Sequence, residues 1–377
     1  MRRQRFSVLQ VYPGPIYDIK ARLSKRLEQL SEFSYGTVVS VGVSNSIDYV
    51  GGYKILLVAD RDNARILRDL HVVWVVLKEA LTLSRGVGLD LVMSYDPLKT
   101  GLMGVLIKKI FRCKLIVEVN GVYNSYAIRR YVMNTNVLKY YLYPKIQQAV
   151  IRRADGLKCL FGRQLEGFDV PKHAKLHSFF DFTDIEAARN ICSGSREVLS
   201  IGFPSYIKGM DLLVAAFVDI KEEFPGWRLT IIGHFSKNEI NKLRQLIGDN
   251  DNVMIQEPVK FSQIPKAIDG CDIFVLASRS EAMGRVLVEA MARGKARLGA
   301  RVEGIPSVIN HDEDGVLFEA NNIDALKEGL RTLMGSEPLR RRLARAGLER
   351  FQNEFVVSKY GEHMRALLYD VMQCRSK

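Results

Sequence analysis

Glu281 and Glu289, separated by seven residues and straddling Gly284, have the chemistry to hold a polyol. A carboxylate that accepts two hydrogen bonds suits vicinal sugar hydroxyls. The stretch around them, Ser278 to Gly294, follows the apolar run Asp272-Ile-Phe-Val-Leu-Ala277, which reads as a buried parallel strand, and leads into a helix from Arg285 to Arg293. A strand that ends in a glycine turn and opens a helix presents backbone N–H groups and a positive dipole end at the carboxyl edge of a sheet. A phosphate binds in such a place. The spacing alone equally fits a surface loop with a solvated Glu281 and with Glu289 paired to Arg285, four residues back.

Gly202-Phe-Pro-Ser-Tyr-Ile-Lys208-Gly209 repeats the strand, glycine loop and helix pattern, with a lysine at the helix entrance that could neutralise a diphosphate. A solvated lysine fits the same position. Ile232-Gly233-His234 is a third junction of this type, and Glu303-Gly304-Ile-Pro306 reads first as turn chemistry. Asp60-Arg-Asp62 and Asp312-Glu-Asp314 have an Asp-x-Asp spacing that could hold a divalent cation, but both read as solvated loops. No obligatory metal is expected.

Alternating strand and helix patterns must position these residues. Candidate strands are Phe6 to Tyr12, Thr37 to Gly42, Tyr53 to Ala59, Asp90 to Tyr95 and Lys114 to Val119, with helices from Asp18 to Leu30, Ala64 to Leu83 and Leu98 to Phe111. A second alternation follows in Glu197 to Ile201, Arg228 to Ile232, Val253 to Gln256, Asp272 to Ala277 and Ala296 to Ala300. Such alternation implies an α/β protein with parallel, doubly wound sheets. The expected division is a first domain over 1–181, a linker over 182–196, a second domain over 197–353, and an amphipathic helix over 354–377 that packs back on the first domain. Length suits two domains: 377 residues exceed what one core organises. Five scattered cysteines, without metal-ligand spacing, argue against a disulfide framework or zinc site and fit a reducing cytoplasm. The run His71 to Leu83 is cut by Lys78 and Glu79, so no membrane-spanning helix is expected. Arg2, Arg3 and Arg5 before an apolar run imitate a signal peptide, but Pro13-Gly-Pro15 ends that run too early.

In this order, Gly202 with Lys208-Gly209-Met-Asp211, Gly233, Cys271 to Ser278, Ser280-Glu281, Gly284, Glu289-Ala-Met-Ala292, Gly294-Lys295, Gly304-Ile-Pro306 and Asp314-Gly315 resemble the donor-binding half of retaining glycosyltransferases of the GT-B fold, family four. The resemblance covers residues 197 to 320; the first domain matches in pattern alone. It implies two Rossmann-like domains facing across a cleft. It assigns Glu281 to the transferred sugar and Glu289 to a ribose. Lys208 and the N–H groups near Gly284, Arg285 and Val286 are assigned to the diphosphate, with Gly202 and Gly233 lining the donor site and Asn120 on the acceptor side. The co-substrate is then a UDP- or GDP-linked sugar. Three departures stand out. Phe203 replaces a usual arginine, Asn120 a frequent histidine, and Glu303 one glycine of a pair.

The net charge of +13 requires a partner. Between Val119 and Ala154 no acidic residue occurs, while Arg129, Arg130, Lys139, Lys145, Arg152 and Arg153 alternate with tyrosines. That composition predicts a face docking on an anionic membrane surface, placing the protein peripherally on the cytoplasmic leaflet with a glycolipid or oligosaccharide acceptor. An amphipathic helix with inward tyrosines fits the same residues. No nucleic-acid-binding motif is present. The leading expectation is a retaining, metal-independent glycosyltransferase of surface polysaccharide or glycolipid assembly. The alternative is a non-catalytic nucleotide-sugar-binding or scaffold protein of the same fold, suggested by Phe203 and Glu303.

Overall fold

The computed structural model describes residues 5–14, 19–60, 65–123, 125, 128, 137–188, 191 and 194–373. Two compact units emerge: Met1–Asn124 with Arg129–Asp184 and Val357–Lys377, and Ser125–Ile128 with Ile185–Val356.

In the first unit the described strands are β1 (Phe6–Val11), β2 (Ser34–Gly42), β3 (Ser46–Val50), β4 (Tyr53–Ala59), β5 (Leu91–Ser94), β6 (Lys114–Val119), β7 (Gly156–Cys159) and β8 (Lys175–Ser178). They form one sheet in the order β3-β4-β2-β1-β5-β6-β7-β8. All pairs are parallel except β3 with β4, which makes a hairpin at one edge. Central strands such as β1 and β5 are buried along their length, as expected of a sheet covered on both faces. Helices Ile19–Leu30 and Val357–Gln373 pack on one face through Leu23, Leu27, Tyr360, Met364 and Leu367. On the other face lie helices Arg65–Gly86, Lys99–Phe111 and Val137–Ile151, through Val72, Val76, Met103, Ile107, Val150 and Ile151.

The final helix therefore does pack back on the first unit, beginning at Val357 because the preceding helix, Glu337–Glu354, ends at Phe355. A buried charge network holds it there. Lys158, with no exposed surface, donates to Asp181 Oδ1 at 2.8 Å and Asn120 Oδ1 at 3.0 Å. Arg26 pairs with Glu118, and its guanidinium lies 5.1 Å from the Tyr360 ring centroid. Burial works against the charge of Arg26, but Glu118, Tyr12, Tyr360 and Asp181 together outweigh it and hold the guanidinium well above its ordinary range.

The second unit is a six-stranded parallel sheet in the order β11-β10-β9-β12-β13-β14. Its strands are β9 (Glu197–Ile201), β10 (Arg228–Ile232), β11 (Val253–Gln256), β12 (Ile273–Leu276), β13 (Ala296–Arg301) and β14 (Val316–Glu319). The chain builds outward from β9 in one direction and from β12 in the other. The junction of β9 and β12 is thus a topological switch point, where crossover loops diverge and leave a crevice at the carboxyl ends of the strands.

The described parts of the stretch 182–196 are fastened rather than loose. Phe182 packs on Tyr360 at 5.3 Å, Ala188 N donates to Ala292 O at 2.7 Å, and Gly194 N and Arg196 N donate to the two Asp272 oxygens at 2.8 Å each.

Candidate functional site

Lys208 and Glu281 meet at this switch point. Lys208 follows β9 and Glu281 follows β12, and Lys208 Nζ lies 2.5 Å from Glu281 Oε2. Their approach is dictated by two glycines. Gly209, at φ 63°, leaves no room for a side chain: a Cβ there would stand 1.9 Å from the Ala277 carbonyl oxygen. Gly202, at φ 154°, lets the lysine stem lie across it, with an added Cβ 3.0 to 3.2 Å from three Lys208 carbons. Gly233, after β10, closes against the Gly202 carbonyl in the same way. These positions admit only glycine without a shift.

The two loops are also laced together. Arg279 N donates to Ile207 O at 2.8 Å, and the Arg279 guanidinium donates to Tyr206 O at 2.6 Å and to both Asp211 oxygens at 2.7 and 2.8 Å. It also stacks over the Tyr206 ring at 4.3 Å. Glu303 braces the other side: its Oε2 accepts from Ser280 Oγ and from the Glu281 backbone N–H, each at 2.7 Å, while Gly304 N donates to Glu281 O at 3.0 Å. Ser205 N and Oγ donate to Glu239 Oε1 at 2.9 and 2.6 Å, and Ser236 N and Oγ to its Oε2 at 2.9 and 2.8 Å. Burial raises the Glu239 carboxyl pKa, yet these bonds outweigh it and hold the group below its ordinary value.

Beyond Glu281, Gly284 takes φ 71° as the N-cap of helix Arg285–Ala292, with no side-chain cap. The N–H groups of Arg285 and Val286 occupy the first helical positions, where no carbonyl four residues back lies within the helix. Glu289, 2% exposed, sits on the same helix, and Arg285 Nε lies 3.2 Å from its Oε1. The pair foreseen as the ordinary alternative does form, and its carboxylate is buried. Arg285 also lies 5.4 Å from the Phe261 ring centroid. Each carboxylate therefore carries a cation beside it, and two cations flank an uncapped helix start. An anionic group bound at that helix start would meet Lys208, Arg285 and two backbone donors together.

Phe203 is 63% exposed after β9 and supplies no cation. His234 is exposed. Asn120 lies in the first unit, where its Oδ1 accepts from Lys158 and its Nδ2 donates to Tyr95 O at 3.0 Å; a neutral amide so tied has no basicity to offer. Asp314 corrects the expectation of a solvated loop. It is 3% exposed and holds the fully buried Arg297 at 2.9 Å and Arg350 at 2.8 Å. Asp60 pairs with Arg68, and Asp62 lies outside the described residues. Among the described residues, no group of three or more His, Cys, Asp and Glu side chains is arranged to hold a metal ion. Lys139, Lys145, Arg152 and Arg153 are exposed along or just after helix Val137–Ile151, with Arg152 paired to Asp169 at 2.8 Å; Arg129 and Arg130 lie outside the described residues. No described helix is long and apolar enough to cross a membrane.

Residues 181–350, which contain Lys208, Glu281, Arg285 and Glu289, match the family described as glycosyl transferases group 1. The match falls within the second unit and its flanking residues. The chain is 29% identical over 201 residues to N-acetyl-alpha-D-glucosaminyl L-malate synthase of Bacillus anthracis, covering 51% of this chain and 50% of that protein. Spore coat protein SA of Bacillus subtilis is 30% identical over 180 residues, or 45% of this chain and 48% of that protein. The chain spans about half the length of these curated relatives in the match. Among solved structures, sucrose-phosphate synthase from Thermosynechococcus elongatus superposes with TM-score 0.78 at 15% identity, covering 98% of this chain and 100% of that one. HepE of Anabaena in complex with UDP-glucose gives TM-score 0.71 at 15% identity, covering 97% and 100%. The fold is GT-B, with two parallel-sheet α/β domains.

Proposed function

We propose that this protein transfers a sugar from a nucleoside diphosphate sugar to a glycolipid or oligosaccharide acceptor, with retention at the anomeric carbon and without an obligatory metal. The observation that carries the reading is the contact of Lys208 with Glu281 beside the uncapped start of helix Arg285–Ala292. The diphosphate is assigned to that helix start, Lys208 and Arg285. Glu281 takes hydroxyls of the transferred sugar and Glu289 those of the ribose. UDP is the leading nucleotide and GDP the second to be tried, since HepE of Anabaena was solved with UDP-glucose.

In the proposed front-face route the bond from the anomeric carbon to the phosphate oxygen breaks as the acceptor oxygen bonds to that carbon from the same side. The departing phosphate oxygen takes the acceptor's proton. Lys208 and the helix start stabilise the charge growing on the phosphate, so the protein contributes position and electrostatics rather than a strong base. Glu281 and Glu289 grip opposite ends of the donor, unlike the paired carboxylates that flank one bond in a glycosidase. The acceptor is assigned to the first unit, whose basic helix suits work at the cytoplasmic leaflet of a membrane in surface polysaccharide or glycolipid assembly.

The test is a thermal-shift screen of nucleoside diphosphates and their sugars. A ligand at a hundred times its Kd adds about 2.7 kcal/mol of stability. The expected result is a raised melting temperature with one base and loss of that shift in Lys208→Ala. No shift with any nucleotide overturns the reading.

A further inference from the structure

Apolar side chains face outward on all three helices that cover one side of the first sheet. Leu67, Leu70, Trp74 and Leu81 do so on Arg65–Gly86; Leu102, Leu106 and Ile110 on Lys99–Phe111; and Val137, Leu138, Tyr141 and Leu142 on Val137–Ile151. On Arg65–Gly86 the set lies opposite the core residues Val72 and Val76, on Val137–Ile151 it lies away from Val150, and on Lys99–Phe111 it flanks the buried stripe that includes Gly104 and Ile107. The helices adjoin. A Cβ added at Gly101 would stand 2.7 Å from Val150, and Lys99 pairs with Asp69 across the first two. Trp74 is 57% exposed and Leu138 73%, values a solvated helix face does not need.

The charges on this side are predominantly positive. These three helices contain two acidic residues, Asp69 and Glu79; Asp69 is held by Arg68 and Lys99, and Glu79, buried, by Lys54. Exposed cations stand among the apolar residues: Lys78, 5.3 Å from the Trp74 ring centroid, then Lys109, Arg112, Lys145 and Arg153. A second copy of this face would bring like charges together, whereas anionic headgroups would satisfy them while acyl chains cover the apolar side chains.

We propose that this three-helix face seats the first unit on an anionic lipid bilayer, with Trp74, Leu106, Leu138 and Tyr141 entering the boundary between headgroups and acyl chains and the cations resting on lipid phosphates. The proposal deepens the membrane part of the function proposed above. It extends the docking surface beyond the basic helix to the two helices beside it. Donor binding is read separately, by nucleotide thermal shift on the same samples, so either reading can fail alone.

The chain supplies its own probe, because it has two tryptophans and the other, Trp227, is 5% exposed in the second unit. The full chain is mixed with vesicles of phosphatidylglycerol and phosphatidylcholine, with and without bromine on the acyl chains. Trp74 emission is expected to move to shorter wavelength and to be quenched by the brominated chains. In Trp227→Phe the response persists. In Trp74→Phe the fluorescence response disappears while sedimentation with vesicles remains. Combining Leu106→Ser, Leu138→Ser and Tyr141→Ser lowers the partition coefficient at least about tenfold and leaves the nucleotide thermal shift intact. Absence of quenching by brominated chains overturns the proposal, as does equal partition into neutral vesicles. A blue shift that grows with protein concentration in the absence of lipid, with a dimer mass, overturns it in favour of a second copy.

Discussion

Glu303 is the residue whose replacement tests most sharply how the sugar-gripping loop is held. One carboxylate oxygen accepts from Ser280 Oγ and from the Glu281 N–H at 2.7 Å each, so removing the side chain leaves both donors without that acceptor. Hydrogen bonds to a charged group contribute about 1.5–3 kcal/mol apiece. Glu303 is half-buried, and solvent both screens the charge and offers replacement bonds, so about 2 kcal/mol is expected for the pair together. That corresponds to about a thirtyfold rise in the fraction of molecules with the loop open. The assay is native-state hydrogen exchange at the Glu281 amide. In Glu303→Ala its protection should fall about thirtyfold, while amides of β14 and helix Ile323–Gly335 stay unchanged. Glu303→Gln, whose amide oxygen can occupy the same place without charge, should fall between. Unchanged protection at Glu281 in Glu303→Ala would refute the reasoning, and Glu303 would then belong with ligand contacts rather than loop support.

Gly202→Ala puts a Cβ within 3.2 Å of the Lys208 stem at a φ that side chains rarely adopt, so it should weaken nucleotide binding at least about tenfold while costing about 1–2 kcal/mol of stability; titration calorimetry with and without nucleotide checks the split. Arg297→Met strands the buried Asp314 carboxylate with Arg350 as its remaining cation, and chemical denaturation should show a loss of about 3–5 kcal/mol. Glu239 has a folded-state pKa depressed below its ordinary 4.5. Its contribution is therefore present above that value and lost as pH falls through the folded pKa. The melting-temperature gap between the native protein and Glu239→Gln should be constant near neutrality and shrink below about pH 4.5.

The fold was legible where local pattern and tertiary role coincide. β12 and the helix after it are an apolar run, a glycine and an amphipathic turn, and the structure places them as that pattern implies. β7 was not legible, because its Gly156-Leu-Lys-Cys sequence carries a lysine that lies fully buried only through partners at Asn120 and Asp181. β8 at the sheet edge alternates half-buried and exposed residues, and β3, β8 and β14 are too short or too polar for periodicity to mark. At the site, glycine spacing and Lys208 could be read directly. The bracing residues could not: Arg279 acts on Asp211, 68 positions away, and Glu303 on a loop 22 positions away, distances at which a single sequence carries no signal. The exposed apolar face on three helices was hidden for a related reason. Leu70, Trp74 and Leu106 look like core residues until the core is seen to be complete without them.

The most direct measurement of the account is calorimetric titration of the full chain with UDP and GDP, each alone and as the sugar conjugate, in parallel with Lys208→Ala and Glu289→Ala. The account predicts saturable binding of one base, weakened by either substitution, with the sugar conjugate but not the bare nucleotide sensitive to Glu281→Ala. Binding that survives Lys208→Ala and Glu289→Ala unchanged would contradict it.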